Sequence, residues 1–181
     1  MRKIVVLMLF IGSIGLFAWS INKYATSGEE ISTFALTQGQ SVLPPVHLDV
    51  SMSPVRAILG VSYEMQVTDG HSDAYKYRVN IKDPASTEVI AVQHTQSEKK
   101  EDQETSFQQK SSNHIVGTFS VNQSGAYLIE WDLWPKKAKI TKVSLQLRRN
   151  VAPLDWIQMT IAGVLFALGW LVLLTGRRAK T

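Results

Sequence analysis

The side chains able to do chemistry in this chain are few, and the histidines come first. There are four, His47, His71, His94 and His114, and there is no cysteine. Without thiols there can be no disulfide, no thiolate metal site and no cysteine nucleophile. No two histidines have metal-ligand spacing on one helix or one strand. The pair of interest is His94 and His114. They bracket a long polar segment, and hairpin pairing of its flanks would set them opposite each other. Two imidazoles so placed could hold a metal ion or respond to pH. The plainer alternative is two histidines at a loop base with no role.

Other constellations offer less. Asp69-Gly-His-Ser-Asp73 lacks the further carboxylates of a calcium loop, and a turn accounts for it. Glu130 and Asp132 stand two apart on the polar face of an alternating stretch. No GxSxG nucleophile turn and no glycine-rich phosphate loop occurs. The expectation is a protein that is not an enzyme and carries no cofactor.

The elements that must position these residues alternate with period two, the signature of strands. Val46, Leu48, Val50 and Met52 alternate with polar neighbours, as do Val61, Tyr63, Met65 and Val67. Asp69-Gly70 then marks a hairpin turn. Tyr75, Tyr77, Val79 and Ile81 share a face, and a shorter strand covers Val89 to Val92. Ile115, Gly117, Phe119 and Val121 are expected on one face. Tyr127, Ile129, Trp131 and Leu133 share another, as do Val143, Leu145 and Leu147. This predicts an all-β domain over 22–152, an antiparallel β-sandwich of jelly-roll type with about seven or eight strands. The stretch FSVNQSGAYL, Phe119 to Leu128, resembles a turn of extracellular sandwich modules such as the lumenal GOLD domain of the p24 cargo-receptor family. That resemblance covers one turn and implies no activity. Residues 95–113 are polar and charged with both signs, and read as a mobile loop. Phe107 is either its docking anchor or part of a solvated tip.

Apolar residues pile up at both ends. Residues 4–21 carry no charge and follow Arg2 and Lys3, which reads as a signal anchor or, alternatively, a cleaved signal peptide. Residues 156–175 read WIQMTIAGVLFALGWLVLLT, with Arg177, Arg178 and Lys180 close behind. This predicts a second transmembrane helix. The positive-inside rule puts tails 1–3 and 176–181 in the cytoplasm and the domain outside. Residues 21–152 hold 14 basic and 14 acidic side chains, so the net charge of +4 comes from the ends. The basic balance therefore reports topology, and no nucleic-acid partner is expected.

Partner contacts are expected in three places. Gly12, Ser13 and Gly15 on the first span, with Gly163 and Ala167 on the second, would let helices approach closely, with each other or with a partner's helices. Lys136, Lys137, Lys139, Lys142, Arg148 and Arg149 could meet lipid phosphates or an acidic partner, or simply guard a strand edge. Phe107 is the third. The short cytoplasmic tails leave no room for a signalling module. The sequence thus points to a non-catalytic accessory or assembly subunit of a bacterial inner-membrane complex, two-pass, with its sandwich binding an integral-membrane or periplasmic partner. The alternative is a membrane-tethered module for a small molecule, glycan or metal.

Overall fold

A computed structural model describes residues 2–37, 39, 41–66, 71–99 and 107–175. The Asp69-Gly70 turn and the basic residues after 175 lie outside the described residues, as do the side chains of Arg2, Lys3 and Phe107. The chain is mostly β, with an apolar helix at each end. It divides into a unit built from the two chain ends, up to Ser27 and from Ala152, and a β-domain, Gly28–Val151.

The β-domain has eight strands: β1 (Glu29–Ala35), β2 (Val46–Leu48), β3 (Val55–Gln66), β4 (His71–Lys82), β5 (Glu88–Lys99), β6 (Phe107–Phe119), β7 (Gly125–Pro135) and β8 (Lys139–Arg149). They form two four-stranded sheets, ordered β1-β8-β3-β6 and β2-β7-β4-β5. Every pairing is antiparallel. The order is nested. The first strand partners the last, the second the seventh, the third the sixth and the fourth the fifth.

The expected alternation supplies the core. Leu59, Val61 and Tyr63 of β3, Val79 and Ile81 of β4, Ile129 and Trp131 of β7, and Leu145 and Leu147 of β8 are buried together in one cluster drawn from both sheets. Each such side chain removed from water contributes about 1.5–3 kcal/mol. The polar faces look outward. There Lys82 pairs with Glu130 at 2.8 Å and Arg78 pairs with Asp132, so both carboxylates hold the place expected of an outer face.

Besides a 3₁₀ turn at Val50–Met52, where the alternation from Val46 predicts strand, three segments depart from the expectation. β1 was not anticipated, because its pairing with β8 slips between Glu30 and Ser32 and breaks the alternation. Residues 95–99 and 107–113, expected in a loop, are strand: β5 runs on to Lys99 and β6 starts at Phe107. The third departure lies within β6. Ala57 faces Gly117 while Ile58 faces Ile115, so Val116 is an extra residue, a β-bulge. The bulge reverses the parity of everything before it. Ile115 therefore turns outward and is 43% exposed, and does not share the face of Gly117, Phe119 and Val121.

The helical unit pairs α1 (Arg2–Thr26) with α2 (Trp156–Thr175). α1 runs five residues past the expected end at Ile21, and the β-domain starts after it, at Gly28. Gly28 has φ +87°, and a Cβ there would lie 2.7 Å from the Arg149 carbonyl oxygen, so the chain needs glycine at this corner. Asp155 caps α2, accepting from the Gln158 amide at 3.0 Å. The seam between the helices is marked on α1 by Val6, Ser13 and Ser20, spaced seven apart, all buried. Ser13 Oγ donates to the Ala162 carbonyl at 2.7 Å. Phe10 packs edge-on against Phe166, with ring centres 5.2 Å apart. Both helices are long and apolar enough to cross a membrane, by length and composition.

Gly117 matters to how the two sheets approach. A Cβ on it would lie 2.9 Å from Ile90 Cδ1 on β5. Gly117→Val should therefore destabilise the β-domain by about 1–3 kcal/mol through overpacking. Adding Ile90→Val should recover part of that loss. Thermal unfolding of the full-length protein in detergent, followed by circular dichroism, measures both; two strictly additive losses would mean that the strain lies elsewhere.

Candidate functional site

The inner faces of β5 and β6 are unlike the rest of the interior. β5 begins apolar, with buried Ile90, and then presents His94, Gln96 and Glu98 at alternate positions. β6 presents Lys110, Ser112 and His114 at alternate positions before the bulge. Opposite them stand Tyr63 of β3 and Tyr75 and Tyr77 of β4, all buried. A cluster of phenols, imidazoles and one ion pair therefore occupies this margin of the domain.

Two hydrogen-bonded groups make it up. In the first, Glu98 is the hub. Its Oε1 accepts from the Tyr63 hydroxyl at 2.5 Å and from Gln96 Nε2 at 2.9 Å, and its Oε2 accepts from Lys110 Nζ at 2.7 Å. The Glu98 side chain is only 12% exposed. Burial alone would raise its pKa, but the bonds from Lys110, Tyr63 and Gln96 outweigh this and hold the carboxyl below its usual range. Burial, and then the Glu98 bond, push the Tyr63 phenol up to about 12.

In the second group, the Tyr75 hydroxyl and His114 Nε2 are 2.6 Å apart. Ser112 hydrogen-bonds to both Tyr63 and Tyr75 and links the groups. Tyr77 lies against both imidazoles, its ring centre 5.1 Å from His114 and 5.7 Å from His94. The two imidazole centres are 5.8 Å apart. Burial, reinforced by His94, lowers the pKa of His114, so its ring is neutral at neutral pH. Burial raises the phenols of Tyr75 and Tyr77. The three phenols are thus uncharged at neutral pH. What the arrangement can do is accept, donate and coordinate. Among the described residues, no three His, Cys, Asp or Glu side chains come together to hold a metal.

The histidines meet by a route the spacing did not suggest. β5 and β6 are not a hairpin: β5 pairs with β4 and β6 with β3, in different sheets. The rings approach because each strand turns its inner face toward the other sheet, and because the bulge at Val116 turns His114 inward.

The other residues singled out are scattered. Of the small helix residues, Ser13 lies in the seam. Gly12, Gly15 and Gly163 would have nothing within 4 Å of an added Cβ, and Ala167 is exposed. On α2 the buried small residues are Ala162 and Gly169, the latter 3.2 Å from the Phe10 ring were it given a Cβ. The six basic residues form no single patch. Lys136 and Lys137 line a recess of about 540 Å³ with His71, Ser72, Asp73 and Pro135. Lys139 reaches Glu64 at 3.4 Å, and Lys142 is exposed. Arg148 Nη2 donates to the Gly28 carbonyl at 2.6 Å and Arg149 pairs with Glu29 at 2.7 Å, at the far end of β8. A second recess, of about 300 Å³, is lined by Gly39, Ser41 and residues 131–135. Phe107 opens β6 opposite Gln66. In the sequence the tyrosines of the cluster carry only a core signal, and Glu98 and Lys110 only that of a polar loop.

No family model matches this chain, and no curated protein matches it. Among solved structures it is similar to the infectious bursal disease virus VP2 subviral particle, at 11% identity and a TM-score of 0.19. The match covers 72% of this chain and 36% of that one. A likeness so slight carries no argument.

The Glu98 hub sets an acid limit. Its folded-state pKa lies below the ordinary 4.5, so the unfolded chain binds the proton more readily. The associated stability is present above about pH 4.5 and fades as pH falls through the lower folded value. Glu98→Gln should flatten the pH dependence of unfolding below pH 5, and Glu98→Ala should cost about 1–3 kcal/mol at pH 7 by stranding its donors. Unfolding curves from pH 3 to pH 7 test this. An unchanged acid slope in Glu98→Gln would remove Glu98 from its role as hub.

Proposed function

We propose that this chain is a two-pass membrane protein whose β-domain, a jelly-roll sandwich outside the cytoplasm, serves as a non-catalytic accessory or assembly subunit of a bacterial inner-membrane complex. One observation carries the proposal. Two apolar helices, each long enough to span a bilayer, bracket a self-contained β-domain in the chain. The seam buries only one stripe of each helix, and Ile4, Leu7, Met8, Ile11, Ile161, Val164, Leu168 and Leu171 remain exposed. Such surface is suited to lipid or to other apolar helices. The nested strand order supports the jelly-roll reading. Basic residues at both chain ends favour cytoplasmic termini.

The non-catalytic part of the reading rests on what the polar groups of the domain are doing. Glu130, Asp132, Glu98 and Glu29 are each held by a cation. A ligand-binding module is the second reading, favoured by the tyrosine and histidine cluster at the β5–β6 margin.

The chain's lack of cysteine makes topology directly testable. Thr95→Cys, at an exposed position of β5, should react with a membrane-impermeant maleimide in intact spheroplasts. Reaction only after lysis would reverse the orientation. Purification of tagged protein from native membranes in mild detergent should recover one complex in stoichiometric amount. Recovery of the chain alone would overturn the subunit reading in favour of the ligand-binding one.

A further inference from the structure

We propose that His94 and His114 form a binding site for a divalent first-row transition ion of the zinc or copper kind. The inference concerns the β-domain alone and stands or falls separately from the membrane-subunit reading.

The two rings are brought together by independent features of the fold. The bulge at Val116 points His114 inward, and Gly117 lets β6 lie close to Ile90 of β5. The result is an imidazole pair 5.8 Å apart between centres, with the planes tilted by 51°. Metal–nitrogen bonds are about 2.0–2.1 Å, so two imidazoles sharing one ion have ring centres roughly 5 Å apart. A small side-chain rotation covers the difference, and His94, which is exposed, is free to make it.

The surroundings suit a ligand set. A coordinating histidine is typically fixed through its other nitrogen by a hydrogen-bond partner, which sets tautomer and ring orientation. Here Nε2 of His114 lies 2.6 Å from the buried Tyr75 hydroxyl, and with Nε2–H donating to that oxygen Nδ1 is the coordinating atom. Tyr75 is itself held by Ser112, and Tyr77 buttresses both rings. Lys110, a cation of the same inner face, is already committed to Glu98.

Imidazole nitrogen selects zinc, copper and nickel over magnesium or calcium, which prefer oxygen. With two protein ligands, the remaining positions fall to water or to an exchangeable group. The site is therefore open, unlike the closed four-ligand structural zinc sites.

The test uses full-length, metal-free protein in detergent. Zn²⁺ is titrated in by calorimetry, and Cu²⁺ is added at one equivalent for electron paramagnetic resonance. The expected result is one Zn²⁺ per chain and a Cu²⁺ spectrum with couplings to two imidazole nitrogens. His94→Gln and His114→Gln should each weaken Zn²⁺ binding at least about tenfold, and Tyr75→Phe, which removes only the outer partner, by about tenfold. His47→Gln and His71→Gln should bind as the parent does. Unfolding of each variant without metal checks its fold. If His114→Gln fails to fold, His94→Gln, altered at an exposed ring, decides alone. Absence of Zn²⁺ binding up to millimolar concentration would overturn the proposal. So would binding that His94→Gln leaves intact, since the ion would then sit elsewhere.

Discussion

Much of this β-domain hangs on one extra residue. In a strand the side-chain period is two, so inserting a single residue flips every side chain on one side of it. Val116 is that residue in β6. After it, Gly117 and Phe119 face inward as hydrophobic patterning demands. Before it, the parity reverses, and Lys110, Ser112 and His114 turn in where Ile115 would otherwise have pointed. The bulge thus turns Ile115 out and buries Val116 in its place, a net loss of about one buried methylene, or about 0.8 kcal/mol. In return it admits a polar face to the space between the sheets. That face is satisfied only because β5 answers it with Glu98 and His94, and β3 and β4 with three tyrosines. A half-answered polar interior would be worse than an apolar one. The tyrosines resolve the mismatch: their rings join the core while their hydroxyls meet the polar groups.

How legible this was depends on which physical signal each segment carried. Where burial falls on one face, the alternation of Val61, Tyr63 and Met65, or of Tyr127, Ile129 and Trp131, identifies a strand and its inward side at once. The same rule fails for 107–113 and 95–99, because both faces of those strands are polar and leave no amphipathic trace. It fails for Ile115, because a bulge carries no composition signal of its own here. It fails for β1, where a register slip between Glu30 and Ser32 breaks the pattern. The histidine pair was found for a reason that proved incomplete. Spacing around a supposed hairpin suggested the meeting, but the strands meet across two sheets, each carrying its own register.

The helices show the matching limit. Apolar length identifies both of them, but small residues alone do not say which face meets the other helix. Glycine and alanine are frequent in apolar helices, so their presence says little about which face they occupy. What selects the seam is the spacing of near-sevens: Val6, Ser13 and Ser20 recur at that interval, and a straight helix keeps such residues almost on one line. Ser13 belongs to that line, and Gly12 and Gly15 do not. A serine there also brings a hydrogen bond to the Ala162 carbonyl, a contact worth somewhat under about 2 kcal/mol in an apolar setting.

The nested strand order links these parts. When the first strand must partner the last, the chain enters and leaves the domain at neighbouring points. Glu29 lies opposite Arg149, and Gly28 is close enough to Val151 that no Cβ can be fitted between them. Immediately beyond, the Ala152 amide donates to Ser27 Oγ at 2.9 Å, so the two leaving segments are tied together before the helices have run their course. A fold whose ends emerged at opposite corners would need long linkers before its terminal helices could pair. Here the sheet order does that work, and the helices need only a complementary seam. The pairing of β1 with β8 is therefore structural twice over: it completes a sheet, and it sets the first and last residues of the β-domain side by side.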